Sequence, residues 1–171
     1  MKKWHGFGFW GMWGAWGSDP AEAGFSKAVE ALGVDTYGSP FPDKQATLFV
    51  PRINKIPDDE GVFLWGTSLG CNNIALVANL VERRIDGMFG FQASIYGVRG
   101  YAVNDNVKFA HLIYSYNPLP LPGLGAYKWP VGTINPASYH RTPHHIPHPG
   151  DYDVLDQRKF LREMKNIMEN T

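Results

Sequence analysis

Residues 62–73 read Val62-Phe63-Leu64-Trp65-Gly66-Thr67-Ser68-Leu69-Gly70-Cys71-Asn72-Asn73, and the apolar, helix-patterned stretch continues to Val81. An apolar run without alternation reads as a strand buried on both faces, and the stretch from Asn72 to Val81 as the helix that follows it. Between them Gly66-Thr67-Ser68-Leu69-Gly70 has the form G-x-S-x-G. In a strand-turn-helix elbow the central residue is held in a strained backbone conformation, and neighbours without side chains let the turn close and a substrate approach. Such a turn lifts the Ser68 hydroxyl above the carboxyl end of the strand. The free amides at the start of the helix then point at any oxyanion forming there. The same pentapeptide also serves as a plain tight connection, so a nucleophile and a structural turn are both open readings at this point.

Moving outward from the elbow, residues 4–17 alternate aromatics (Trp4, Phe7, Phe9, Trp10, Trp13, Trp16) with Gly6, Gly8, Gly11, Gly14 and Gly17. This predicts a buried first strand running into a glycine-rich loop. A helix follows, capped by Ser18 or Asp19, with Pro20 in its first turn, Phe25, Ala28, Val29 and Leu32 as its apolar stripe and Gly33 at its end. Val34 to Tyr37 reads as a short strand closed by Gly38-Ser39-Pro40. A helical piece is expected between Gln45 and Ile56, kinked or started by Pro51. Pro57 to Gly61 is a turn, Ile85 to Phe91 and Val107 to Tyr114 are strands, and Asp153 to Met168 is a terminal helix packed through Phe160, Leu161, Met164, Ile167 and Met168. Continuous apolar strands alternating with amphipathic helices imply an α/β chain with a mostly parallel sheet covered on both faces. Ligands of such sheets sit at the carboxyl ends of the strands, where Ser68 falls.

The chain has 171 residues, the length of one domain, 1–171, without large insertions. Sixteen basic residues balance sixteen acidic ones, so no overall field draws nucleic acid or an anionic membrane. The single cysteine, Cys71, has no partner for an internal disulfide and is expected as a small packed side chain. Met1-Lys2-Lys3 and the apolar stretch behind it imitate a signal peptide, but that stretch is built from Gly and Trp, contains His5 and lacks a leucine-rich centre. The expectation is a cytoplasmic protein. No run approaches the ~20 apolar residues of a membrane span.

On the elbow, its flanking strand and helix, and the order of elements, the chain resembles the α/β-hydrolase superfamily, in size the small lidless lipases and cutinase-like esterases. The resemblance implies a minimal α/β-hydrolase fold, a three-layer sandwich, and a carboxylic ester hydrolase working through an acyl-enzyme on Ser68 without cofactor or metal. It implies a general-base histidine in the loop before the last helix. The backbone amides of Leu69 and of a residue after the first strand, Met12 or Trp13, would form the oxyanion hole.

A serine hydroxyl is a poor nucleophile until a neutral imidazole takes its proton and later returns it to the leaving group. His140, His144, His145 and His148 all fall in the expected loop. His148 lies closest to the helix start and His145 matches the His-apolar pattern of small relatives; the two rank nearly level, ahead of His144 and then His140. With Asp151 the same cluster offers metal ligands. Pro143, Pro147 and Pro149 argue against a helix that would align them, no H-E-x-x-H pattern occurs, and no metal is assigned. The segment after Val107 to Tyr114, where such hydrolases place an acid, reads Ser115-Tyr116-Asn117-Pro118. Asn117 can orient the imidazole but adds no charge; Asp86 and Asp151 are the alternatives. Gln92 and Ser94 close a strand at the expected rim, as substrate donors or as capping groups. Trp65, Tyr96, Tyr116 and Tyr127 either line an acyl pocket or pack in the core and rim. A small-molecule ester is the implied partner. The alternative is a binding or structural protein on the same fold with a weak or lost triad.

Overall fold

The computed structural model describes residues 2–9, 20–39, 46–67, 70–92, 105–115, 139–144 and 154–171. In chain order these form β1 (Trp4–Phe9), α1 (Pro20–Glu30), β2 (Val34–Ser39), a 3-10 turn (Ala46–Phe49), α2 (Val50–Asn54), β3 (Gly61–Thr67), α3 (Gly70–Leu80), β4 (Gly87–Gln92), β5 (Ala110–Ser115), β6 (Tyr139–His144) and α4 (Val154–Glu169). The six strands make one sheet in the order β2-β1-β3-β4-β5-β6, and every pairing is parallel. This is an α/β fold with a parallel sheet, as the alternation of apolar runs and amphipathic stretches implies.

Successive residues of a strand point to opposite faces, and β3 shows what its unbroken apolar run is for. All seven of its residues are buried. Val62 and Leu64 feed one hydrophobic cluster with Ile53 of α2 and Ile74, Val77 and Ala78 of α3. Phe63 and Trp65 feed a second with Phe25 and Val29 of α1 and Phe160 and Met164 of α4. A line of rings crosses the second cluster, with centroids 4.8 Å apart for Trp4 and Phe63, 6.0 Å for Phe63 and Phe89, and 5.2 Å for Phe89 and Phe160. Such pairs add about 0.5–1.5 kcal/mol each beyond their buried area.

The alternation of glycine and aromatics in β1 has a packing cause. His5, Phe7 and Phe9 lie on one face and Trp4, Gly6 and Gly8 on the other, with the two glycines beneath the Trp65 indole. A Cβ at Gly6 would stand 2.4 Å from Trp65 Cζ3, and one at Gly8 would stand 2.6 Å from its Nε1. At the other end a Cβ on Gly61 would meet the Trp4 ring at 2.1 Å. Each tryptophan thus occupies space that a glycine of the neighbouring strand leaves open.

The helices follow their sequence signals. α1 starts at Pro20, buries Phe25 and Val29, and is closed by Gly33 in a left-handed conformation with φ 85°. Pro51 lies in the first turn of α2, where its missing N–H costs nothing. α4 packs through Phe160, Leu161, Met164, Ile167 and Met168.

One element departs from expectation. Residues 140–144 form most of β6, not a loop, and His140 and His144 are strand residues opposite His111 and Ser115. Among the described residues the segment Tyr-His-Arg-Thr-Pro-His is an edge strand with one neighbour, a position where proline is tolerated and an apolar run is not required.

At the amino ends of the strands polar groups are closely tied. Asp86 is buried just ahead of β4: its amide donates to the Val62 carbonyl at 2.9 Å, and its Oδ2 accepts the Val62 amide at 3.0 Å. Arg84 Nη2 stands 2.7 Å from its Oδ1. Arg83 donates to the carbonyls of Ile56, Pro57 and Glu60 at 2.5, 2.9 and 2.7 Å. Asn106 Nδ2 donates to those of Ala78, Val81 and Arg83.

Candidate active site

The strand order reverses direction between β1 and β3, since β2 lies beyond β1 on one side and β4 to β6 lie beyond β3 on the other. At such a switch point the connections leave to opposite faces and open a crevice at the carboxyl ends, where parallel α/β sheets bind their ligands. β3 ends there at Thr67, and α3 begins at Gly70. Ser68 and Leu69, the intervening pair, lie outside the described residues.

The turn is tight enough for the two glycines that bracket Ser68 to meet. A Cβ on Gly66 would stand 2.4 Å from the Gly70 carbonyl oxygen and 3.0 Å from the Cys71 amide nitrogen. The start of the helix therefore lies directly against the end of the strand, and position 66 has no room for a side chain. Cys71 Sγ–H donates to the Gly66 carbonyl at 3.3 Å, fastening the first turn of α3 to β3. Its thiol is fully buried, as expected of a small packed side chain. The first amides of α3 have no partners within the helix, and they gather at this same end.

The described carboxyl rim consists of Phe9, Ser39, Thr67, Gln92, Ser115 and His144, the last residues of the six strands. Gln92 closes β4 opposite Tyr114, and His144 closes β6 opposite Ser115. His140 lies four residues back along the same strand, about 13 Å from its end at ~3.3 Å per residue. It is set apart from the rim on that account. Met12, Trp13, Ser94, Tyr96, Tyr116, Asn117, Tyr127, His145, His148 and Asp151 lie outside the described residues.

Two of the open alternatives close. Asp86 is not a partner for a histidine at the rim: it is fixed to Val62 near the opposite end of β3, about 17 Å from Thr67 at ~3.3 Å per residue. Its carboxylate is engaged by a backbone amide and Arg84, which is the work of a structural group. Trp65 lines no acyl pocket, because it is only 3% exposed and packs edge-on against Phe25 over the glycines of β1.

Two histidines outside the expected group are paired with carboxylates. His111 of β5 is buried, with Nδ1 2.7 and 2.9 Å from the two Glu163 oxygens and its ring edge-on to Phe160. His5 of β1 has Nε2 2.5 Å from Glu60 Oε2. Both lie within the body of the sheet or near its amino end. Neither pair is legible in the sequence, since the partners are 52 and 55 residues apart. Among the described residues no three of His, Cys, Asp and Glu come together as a metal-binding group. No described helix is long and apolar enough to cross a membrane.

No protein-family model matches the chain, and no curated protein matches it.

Proposed function

We propose that this chain is a serine hydrolase of the minimal α/β-hydrolase type, a three-layer sandwich, cleaving a carboxylic ester through an acyl-enzyme on Ser68. The observation that carries the reading is the contact of Gly66 with the Gly70 backbone at the switch-point end of β3. A connection of two residues between a buried strand and a helix folded back onto it is the geometry an exposed, strained nucleophile requires.

In this reading His145 or His148 accepts the Ser68 proton as the hydroxyl attacks the ester carbonyl. The same imidazole returns the proton to the departing alcohol, and then activates the water that releases the acid. The amides of Leu69 and of Met12 or Trp13 hold the oxyanion of each tetrahedral intermediate, an interaction stronger in the transition state than in the bound ester. Asn117 orients the imidazole, and Gln92 at the end of β4 offers a hydrogen bond to substrate.

A second reading has one observation in its favour. Asp86 is committed to the amino end of the sheet, which removes a carboxylate that could have completed a triad. A chain relying on Asn117 would be a slow hydrolase, or a binding protein that keeps the elbow without the chemistry.

A fluorophosphonate probe separates the two, because it reacts with activated serines and not with ordinary turn serines. Ser68 is expected to carry the adduct, and Ser68→Ala to abolish labelling and lower ester turnover by about 10⁴-fold or more with unchanged thermal unfolding. Intact, folded protein with no adduct at Ser68 would leave the binding reading in place.

A further inference from the structure

Lys2 and Lys3 are neighbours in sequence with opposite surroundings. Lys3 is exposed and its ammonium stands 3.2 Å from Asp35 Oδ2. The hydrogen bond to Asp35, and then its charge, raises the Lys3 pKa above the ordinary lysine value. The Lys2 side chain is 19% exposed, with Nζ 4.7 Å from the Trp4 ring centroid and 4.0 Å from Asp86 Oδ1. Arg84 already holds that oxygen at 2.7 Å, so Lys2 competes for a carboxylate whose charge is largely engaged. The Trp4 face attracts a cation but also shuts water away.

Lys2 opens onto a cleft of about 540 Å³ between the C-terminal ends of α1 and α4, walled by Trp4, Leu32 and Met168 and bounded by Lys165 and Glu169. The latter two are 3.7 Å apart and pair with each other. A primary amine largely withdrawn from water, sharing its one carboxylate with Arg84 and set against an apolar wall, is suited to attack a carbonyl rather than to bind an anion.

We propose that Lys2 is an amine nucleophile that condenses reversibly with a small aldehyde whose apolar body occupies this cleft. The nitrogen lone pair adds to the carbonyl carbon as the C=O π bond opens to a hydroxyl. Both amine hydrogens then leave with that oxygen as water, giving a C=N bond with no change in oxidation state. Burial first, and then the positive charges of Arg84, Lys108 and Arg83, hold the Lys2 pKa below the ordinary lysine value against the opposing pull of Asp86. More neutral amine is therefore present at pH 7 than on Lys3. The site lies at the opposite end of the sheet from Thr67, the last residue of β3, and does not depend on the hydrolase reading.

The full chain is treated with benzaldehyde and cyanoborohydride at pH 7, and the reduced adducts are located by peptide mapping, which separates the Lys2 side chain from the α-amine. Lys2 is expected to be modified several-fold faster than Lys3, whose exposed ammonium is held charged by Asp35. Formaldehyde, too small to use the cleft, should show a weaker preference. Arg84→Gln leaves Asp86 Oδ1 to Lys2 and should slow Lys2 modification several-fold. Should that variant not fold, the wild-type pH profile decides, since Lys2 must reach half its maximal rate at lower pH than Lys3. Lys2 reacting no faster than Lys3, a formaldehyde preference equal to that of benzaldehyde, an Arg84→Gln rate equal to wild type, or coincident pH profiles would each overturn the proposal.

Discussion

At the amino end of β3 a buried carboxylate, Asp86, joins two strands through the Val62 backbone and holds Arg84, while Arg83 and Asn106 bind the surrounding carbonyls. At the carboxyl end of the same strand there is instead a close approach of bare backbone, Gly66 against Gly70, and a rim that includes Ser39, Thr67, Gln92 and Ser115. Among the described residues, one end is held by long polar side chains reaching back to the main chain, and at the other the close contact is backbone against backbone. A parallel sheet can carry both because its strands all point the same way: what fixes the amino end does not intrude on the crevice at the carboxyl end.

Removing Asp86 should disturb the first end and spare the second. Asp86→Ala leaves the buried Val62 amide without its acceptor and the half-exposed Arg84 without its counter-charge, so a loss of about 1–3 kcal/mol is expected in urea unfolding. Ser68 labelling per folded molecule should be unchanged. A large drop in that labelling would merge the two ends into one functional unit. Gly66→Ala is the converse. The added methyl meets the Gly70 carbonyl at 2.4 Å, which should cost about 1–3 kcal/mol by overpacking and remove Ser68 reactivity in the protein that still folds. Retained reactivity would mean that the elbow geometry is not what activates the serine.

Asn117→Asp sharpens the comparison at the carboxyl end alone. If Asn117 orients the base, a carboxylate there adds charge stabilisation to the imidazolium and ester turnover should rise, by about 10-fold for ~1.4 kcal/mol. Loss of stability with no gain in rate would assign Asn117 to capping. The smallest effect is expected at the amino end, from Lys2. A lysine whose pKa is lowered on folding carries fewer protons in the native state than in the unfolded one, so its contribution to stability rises with pH over the window below the ordinary value of 10.5. As pH rises toward 10.5 the difference in unfolding free energy, wild type minus Lys2→Gln, should therefore increase slightly. A decreasing difference would show that Asp86 outweighs burial at Lys2.

What the sequence discloses follows from how local each signal is. β3 and α3 are legible because an unbroken apolar run, two glycines and a helix-patterned stretch are contiguous. α1 is legible because Pro20 and Gly33 punctuate it, and α4 because its apolar residues recur at helical spacing. β6 is hidden, since an edge strand with Pro143 needs no apolar run and the histidines around it draw attention as loop residues. Asp86 reads from the sequence as a spare acid near an active site; its actual task depends on Val62, 24 residues earlier, which no local pattern encodes. The role of Gly66 is the reverse case, because the need for a bare position is written in the pentapeptide itself. His111 and Glu163 meet only once α4 has been laid across the sheet.

The interlocking of Trp4 with Gly61, and of Trp65 with Gly6 and Gly8, bears on how the chain reaches this structure. β1 precedes β2 and β3 in the chain but has its place between them, and His5 and Glu60, which meet where β1 and β3 begin, are 55 residues apart. Closing so long a loop is an entropic cost borne before any contact rewards it, and parallel pairing makes it slow. The indole-on-glycine fit then acts as a register gauge. A slip by one residue would press Trp65 against Phe7 or Phe9 in place of bare backbone, so misaligned pairings are rejected sterically before the helices close over the sheet.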